Sequence, residues 1–388
     1  MNVLLGMCGS IAAYKSLELV RLLKKDGADT KVILTKSALN FVTPLSCQTL
    51  STHETYIDQF VLTAGIKHLS LADWADILVI APATANIIGK AAAGIGDDLL
   101  STTILSFRKP VLFVPAMDTG MWGNTIVQDN VSKLKAHGCL FIEPTSGTLA
   151  SGKVGKGRFP YPALIRKKIL SVTAGYNSLN HSRFLISGGR TEEDIDSVRV
   201  ITNRSSGRMA LELLYAVSCR DGVAKAVIGE TNMTFPGEFD VTRARTADEM
   251  YGALKKEFRW CDCLIMAAAV GDYRPRTRSI RKIHAKTHTL SLTKNKDVVK
   301  TLVAKKKDKV IVGFSLEDKI DITRGKEKMK AKGLDMCVVN TAQGVGSTSA
   351  NALILKKNGR SVRLGKVSKW ELAHTILDEC SELMRGHT

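Results

Sequence analysis

Residues 187–210 read SGGRTEEDIDSVRVITNRSSGRMA. The stretch follows a short apolar run, Phe184, Leu185 and Ile186, and opens on a diglycine. Acidic residues come next, then a polar knot of Asn203, Arg204, Ser205, Ser206 and Gly207. An amphipathic helix follows, with Met209, Leu213, Leu214 and Val217 at helical spacing. A strand that feeds a Gly/Ser loop and then a helix is a way to build an anion site. Free backbone N–H groups and the helix dipole converge on the ligand there. The spacing is neither that of a P-loop nor G-x-G-x-x-G. Two readings stand side by side: a phosphate site, and an ordinary helix start capped by Ser205 or Ser206.

Around this stretch the chain repeats one pattern. Upstream, apolar runs at 2–7, 31–35, 77–82, 110–115 and 139–142 alternate with helical segments at 11–25, 84–93, 97–106 and 124–136. Downstream, strands are expected at 184–187, 224–228, 262–267, 309–313 and 335–339. Helices are expected at 207–220, 246–258, 295–305, 318–332 and 368–385. Continuous apolar strands alternating with helices imply α/β domains whose parallel sheets are covered on both faces. Ligands in such sheets bind beyond the carboxyl ends of the strands. In the first half those ends are Gly9-Ser10, Thr35 to Ser37, Ala81 to Asn86 and Pro115 to Trp122. Composition changes after Gly147. Residues 147–158, rich in Gly and Lys, read as a flap, and 160–183, with two prolines and basic residues, as the connecting region. The expected division is 1–165, a linker at 166–183, and 184–388.

A chain of 388 residues is long enough for two domains. No apolar run reaches membrane-span length. The start, MNVLLGMCGS, has no basic n-region or cleavage site and reads as a first strand. The eight cysteines are scattered, and the close pair Cys261 and Cys263 has no second pair for zinc. Buried thiols in a reducing cytoplasm are therefore expected. The formal charge of +19 suits polyanions. No helix-turn-helix, zinc-finger or RNP pattern accompanies it, so a basic surface serving phosphorylated substrates is favoured over a nucleic-acid binder.

Several loops carry longer motifs. In the first half these are GSIAAYK (9–15), LTKSALNFVTPLS (34–46), HLSLADWAD (68–76), IAPATANIIGKAAAGIGDDLLSTT (80–103) and PAMDTGMW (115–122). In the second they are the opening stretch, AAAVGDYRP (267–275), KIHAK (282–286), TKNKDVV (293–299), VGFSLED (312–318) and KMKAKGLD (328–335). In this order, and over nearly the full length, they resemble the bifunctional flavoproteins of coenzyme A biosynthesis. Those proteins join a phosphopantothenoylcysteine decarboxylase to a phosphopantothenate–cysteine ligase. The resemblance implies a flavodoxin-like (HFCD-type) doubly wound parallel sheet followed by a Rossmann-like α/β ligase domain. It also implies trimeric flavin domains and dimeric ligase domains, which permit a dodecamer.

For the first half the resemblance implies FMN. Gly9, Ser10 and Ile11 match the loop at the flavin phosphate, where a helix start favours an anion. Ser37 matches a second phosphate contact. Pro82, Ala83, Thr84, Ala85 and Asn86 match the loop along the isoalloxazine ring, and Met117 belongs to the same site. His68 matches a catalytic histidine, suited to take the thiol proton. The implied cycle oxidises the cysteine part with FMN, loses CO2, and reduces the resulting enethiol with FMNH2. Two positions depart from the pattern. Asp118 stands where the family's PxMNxxMW motif has an Asn thought to bind the substrate carboxylate, and an anion there repels it. Ser151 stands in LASG (149–152) where the family has a proton-donating Cys, and its hydroxyl is a far weaker acid. Phe159-Pro160-Tyr161-Pro162 also replaces an acidic segment. Three outcomes stay open: an impaired decarboxylase, one that stops at the oxidised enethiol, or one with a changed substrate. An alternative is a ligase whose flavin domain is a non-catalytic FMN-binding scaffold.

For the second half the resemblance implies ligation of L-cysteine to 4′-phosphopantothenate. CTP activates the carboxylate as an acyl-cytidylate, with Mg2+ present and metal ligands unassigned. Asn203 matches the residue that holds the acyl-cytidylate, and Asp272 a nucleotide-binding acid. Met266, Ala267 and Ala268 line the base pocket. Lys282 matches the essential Lys of a K-x-K-K strand, where His284 breaks the pattern and Lys286 retains a cation. Asn295, Lys296, Asp297 and Val298 match an N-P-D-I loop with Lys in place of Pro. Phe314 packs on the nucleotide, and Lys328 and Lys332, one helical turn apart, reach the phosphates. Arg208 replaces a common Lys, and Gly271 a usual Ala.

Overall fold

A computed structural model describes residues 1–60, 66–284 and 287–385. It divides into two compact units, Met1–Tyr176 and Asn177–Thr388.

The first unit is built on one parallel six-stranded sheet. Its strands are β1 (Asn2–Met7), β2 (Asp29–Leu34), β3 (Thr55–Tyr56), β4 (Ile77–Ala83), β5 (Val111–Pro115) and β6 (Leu140–Phe141), in the order β3-β2-β1-β4-β5-β6. β4 is buried along its whole length, and β1 beyond its first residue. Both faces are covered, which is why these strands read as unbroken apolar runs. On one face Val3, Leu5, Val79 and Val114 pack with Leu19, Leu23, Ile165 and Ile169. On the other, Leu4, Leu78, Ile80 and Phe113 pack with Ile87, Ile88, Leu100 and Ile104. Strand order reverses between β1 and β4, and a doubly wound sheet opens its ligand crevice at such a point. The loops leaving these two strands carry Gly9 to Ile11 and Thr84 to Asn86.

The expected flap is an antiparallel hairpin, β7 (Thr145–Thr148) with β8 (Val154–Arg158). The expected linker differs more. Helix Pro162–Thr173 lies across its start and buries Ile165 and Ile169 in the first unit's core. Pro162 sits in the first helical turn, where its missing N–H costs nothing.

The second unit centres on an eight-stranded sheet. After β9 (Arg183–Gly188) comes a small ribbon of β10 (Glu192–Asp194) and β11 (Val200–Thr202). The sheet continues with β12 (Val223–Ile228), β13 (Asp240–Arg243) and β14 (Cys263–Met266). A second ribbon pairs β15 (Tyr273–Pro275) with β16 (Leu292–Lys294). β17 (Val310–Glu317), β18 (Met336–Thr341), β19 (Ser349–Lys356) and β20 (Ser361–Ser368) complete the sheet. The order is β13-β12-β9-β14-β17-β18-β19-β20, parallel as far as β18 and antiparallel beyond it. Here the reversal lies between β9 and β14. The opening stretch is thus a strand, a ribbon, a loop and a helix, rather than a strand leading straight into a loop.

Helix Arg208–Cys219 buries Leu213, Leu214 and Val217 against Phe184, Ile186 and Val312. All eight cysteines are free, and all are buried except half-buried Cys139. Among the described residues no helix is long and apolar enough to cross a membrane.

Candidate functional site

In the second unit the loops beyond β9, β14, β17 and β18 surround one cavity of about 920 Å³. Asn203, Met266, Ala267, Ala268, Asp272, Asn295, Lys296, Asp297, Val298, Phe314, Lys328 and Lys332 all line it. The helix at its edge starts after Gly207, whose φ of +76° is left-handed. A Cβ there would come within 2.3 Å of Thr231 Oγ1, so both backbone and space require glycine. No side chain caps this helix in the N-cap position. Ser206 Oγ reaches only the Arg208 N–H, at 3.4 Å. The serine-capped helix start is therefore not what forms, and the helix end stays available to an anion.

Hydrogen bonds fix the loops to one another. Asn203 Nδ2 donates to the carbonyls of Ala269 and Val270 at 3.3 and 3.2 Å. Thr191 Oγ1 accepts from the Gly271 N–H at 2.8 Å. Buried Asn295 donates through Nδ2 to Gly271 O at 2.8 Å, and its own N–H donates to Asp272 O. Arg190 holds Ser205 O at 3.0 Å. Asp297 starts the helix Val298–Val303 and pairs with Lys332 at 3.2 Å. Burial pushes its carboxyl up, but the Lys300 N–H and Lys332 outweigh this and hold it below the ordinary value. Burial and then Lys332 lower the Lys328 ammonium. The cavity is cationic on one side and offers Phe314 and the small residues after β14 on another, as a nucleotide demands.

Lys282 does not line this cavity. It is exposed on an irregular segment, where a strand was expected. Buried Asp196 organises that segment by accepting from the N–H groups of Val198, Arg199 and Ile283. Lys286 lies outside the described residues. The cavity residues that were not expected include Lys369 and Asn340, whose Oδ1 is buried without a partner among the described residues. Neither belongs to a motif, since each arrives from a distant core element.

In the first unit the loop after β1 meets the loop after β2. A Cβ on Gly9 would lie 2.5 Å from Ser37 Cβ, so the two backbones touch only because position 9 is glycine. Thr35 Oγ1 is buried there without a partner among the described residues. Ser10 Oγ accepts from the Ala12 N–H, and Cys8 N–H donates to Pro82 O, which ties in the loop after β4. Thr84 caps the helix Ala85–Ala93. A close-packed Gly/Ser cradle with an orphan hydroxyl fits a phosphate-bearing cofactor.

Met117 is bound to the flap: its N–H donates to Gly157 O at 3.1 Å. A Cβ on Gly157 would strike Met117 O at 2.2 Å. Asp118 caps a short turn through Oδ1, which accepts from the Gly120 N–H at 2.9 Å. Its Oδ2 accepts from Ser151 Oγ at 3.5 Å. The two residues that depart from the family pattern are therefore partners across the flap. His68 is half-buried in the first turn of helix Lys67–Trp74, and no hydrogen bond joins it to Asp118 or Ser151 among the described residues. Nor do the described residues contain a group of three or more His, Cys, Asp or Glu able to hold a metal.

Two family models match the chain. "Flavoprotein" covers residues 1–174, and "DNA/pantothenate metabolism flavoprotein C-terminal domain" covers 179–384. The coenzyme A biosynthesis bifunctional protein CoaBC of Bacillus subtilis (strain 168) is 38% identical across 99% of this chain and 97% of that protein. A cysteine/cysteine sulfinic acid decarboxylase from an unknown prokaryotic organism is 38% identical across 87% of this chain and 98% of that one. The crystal structure of the C-terminal domain of a CoaBC protein is 27% identical, with a TM-score of 0.48 over 54% of this chain and 99% of that one.

Proposed function

The chain belongs to the family of bifunctional coenzyme A biosynthesis proteins, ligase and decarboxylase in one polypeptide, and from that premise we propose how its residues divide the work. In the second unit the carboxylate of 4′-phosphopantothenate attacks the α-phosphate of CTP, and pyrophosphate leaves. The amine of cysteine then attacks the acyl carbon, and CMP leaves. Asn203 holds the acyl-cytidylate by its amide. Phe314 packs on the base between Met266 and Ala268, and Lys328 and Lys332 neutralise phosphate oxygens. Mg2+ enters with the triphosphate and needs few protein ligands. Asp272, unpaired among the described residues, is the carboxylate that would meet it. Lys282 lies outside the cavity of its own chain, so it serves the cavity of a second copy in a dimer. The observation that carries this reading is that every expected nucleotide residue except Lys282 lines one cavity.

The first unit binds FMN, its phosphate at Gly9 to Ile11 and Ser37 and its ring along Pro82 to Asn86. Bound there, the flavin accepts and returns an electron pair. His68 takes the thiol proton of phosphopantothenoylcysteine. The Asp118–Ser151 contact favours a second reading of the last step. Asp118 disfavours a carboxylate beside it, which promotes loss of CO2 but weakens capture of the substrate. Ser151 Oγ faces Asp118 at 3.5 Å and is a poor acid towards the enethiol, so the enethiol is reduced slowly or released oxidised, and in the latter case the electron pair stays on the flavin until dissolved oxygen takes it. The relative named as a cysteine/cysteine sulfinic acid decarboxylase indicates that this scaffold also accommodates other cysteine-derived acids.

Two observations on the purified protein test the assignment. Flavin absorbance is expected. Sustained pyrophosphate release is expected only with phosphopantothenate, CTP, cysteine and Mg2+ together. Release that ignores cysteine or phosphopantothenate contradicts the ligase assignment.

A further inference from the structure

Two lysines of the second unit are buried among the described residues, Lys356 and Lys369. Lys356 is 4% exposed and meets both Glu379 and Glu382. Lys369 differs. It is 6% exposed, and no carboxylate among the described residues pairs with it. Gly344 O accepts one of the three N–H bonds of its ammonium, at 2.8 Å. What it has instead of a counterion is the cavity, which it lines together with Gly344 and Arg208.

Arg208 repeats the anomaly. It begins the helix after Gly207, and although the residue is only half-buried, its Nε is buried without a hydrogen-bond partner among the described residues. The two cations are brought together because helix Lys369–Arg385 packs on helix Arg208–Cys219. Burial first, and then the Arg208 charge, lower the Lys369 ammonium to about 8, and Glu212 offsets only part of this. A buried ammonium without a counterion, beside a half-buried guanidinium whose Nε is shut off from water, is costly. An anion between them removes both the repulsion and the missing bonds.

We propose that Arg208 and Lys369 form a phosphate-receiving subsite of the cavity, separate from Lys328 and Lys332. This rests on reading the cavity as the ligase site. Its ligand is a phosphate group, which both CTP and 4′-phosphopantothenate carry. Lys369 neutralises it while anchored to Gly344 O, and Arg208 supplies the free Nε–H. Anchoring of this kind fixes the charge before the ligand arrives, so little side-chain entropy is lost on binding.

Calorimetry on the full-length protein tests the subsite, with CTP and 4′-phosphopantothenate titrated separately into wild type, Lys369→Met, Lys369→Arg and Arg208→Met. Thermal unfolding of each variant reports whether it folds. Losing a charge-assisted contact is expected to weaken one of the two ligands about tenfold or more in Lys369→Met and Arg208→Met. The ligand affected identifies whose phosphate the subsite holds. Lys369→Arg is expected to stay within about threefold of wild type, because the charge is kept. Unchanged affinity for both ligands in Lys369→Met overturns the subsite. So does a Lys369→Arg variant as weak as Lys369→Met, which would mark a packing role. A wild-type chain that binds neither ligand overturns the ligase reading of the cavity itself.

Discussion

The loops after β1 and β4 in the first unit and those after β9 and β14 in the second occupy the same topological place, where strand order reverses. In the second unit the loops are cross-linked by Asn203, Thr191 and Asn295, and the expected nucleotide residues converge on one cavity. In the first unit Gly9 and Ser37 pack closely, as the proposed phosphate cradle requires, while the proposed reacting end carries Asp118 and Ser151. Asp118 and Ser151, which both depart from the family pattern, form a pair across the flap hairpin. On the proposed reading, cofactor binding and the last proton transfer rest on different residues of this unit.

Restoring the reacting end is the strongest way to break the contrast. The double variant Asp118→Asn with Ser151→Cys returns a neutral amide and an acidic thiol. It is expected to speed reduction of the enethiol by ~10²–10⁴, the usual contribution of a positioned acid. Single-turnover product analysis by mass spectrometry measures this, and an unchanged rate means that the pair does not limit the step. Damaging the second unit comes next. Asn203→Ala is expected to lower ligase turnover by about 10²–10³, as loss of a preorganised donor does. Flavin content, read from the visible spectrum, should not change, because Asn203 belongs to the other unit. Wild-type turnover in that variant would remove Asn203 from the site.

The smallest effect concerns Lys369. Its folded value of about 8 lies below the ordinary 10.5. Between those values the unfolded chain holds more protons than the folded one, so stability without ligand rises with pH there. Burial is the main cause of the lowering, the Arg208 charge adds to it, and Glu212 offsets part of it. Chemical denaturation across that window should show the rise in wild type and a smaller one in Lys369→Met. Equal slopes would mean that Lys369 titrates normally.

The parallel strands are legible in the sequence because two covered faces leave no room for polar alternation, as in β4. The expected nucleotide residues come from motifs that resemble the family, most of them in loops after strands and Lys328 and Lys332 on a helix. Other features depend on packing between distant segments. Helix Pro162–Thr173 hides behind basic residues and prolines, although Pro162 at a helix start and the Ile165, Ile169 spacing are readable signals. The β19–β20 hairpin hides because β20 is largely exposed and carries no apolar run, though Asn358-Gly359 marks its turn. Lys369 reads as one more surface cation, and only the packing of its helix on Arg208–Cys219 buries it. The contact between Asp118 and Ser151 likewise needs the folded hairpin, since 33 positions separate them.

The most direct measurement follows the products when flavin-loaded protein meets phosphopantothenate, CTP, cysteine and Mg2+, by mass spectrometry over time. In air, where dissolved oxygen reoxidises the flavin, phosphopantothenoylcysteine is expected to form as CTP is consumed, followed by a decarboxylated species two hydrogens lighter than phosphopantetheine that builds up. Phosphopantetheine appearing as fast as CTP disappears, with no lighter species, would contradict the altered reacting end. Failure to form phosphopantothenoylcysteine would contradict the intact ligase.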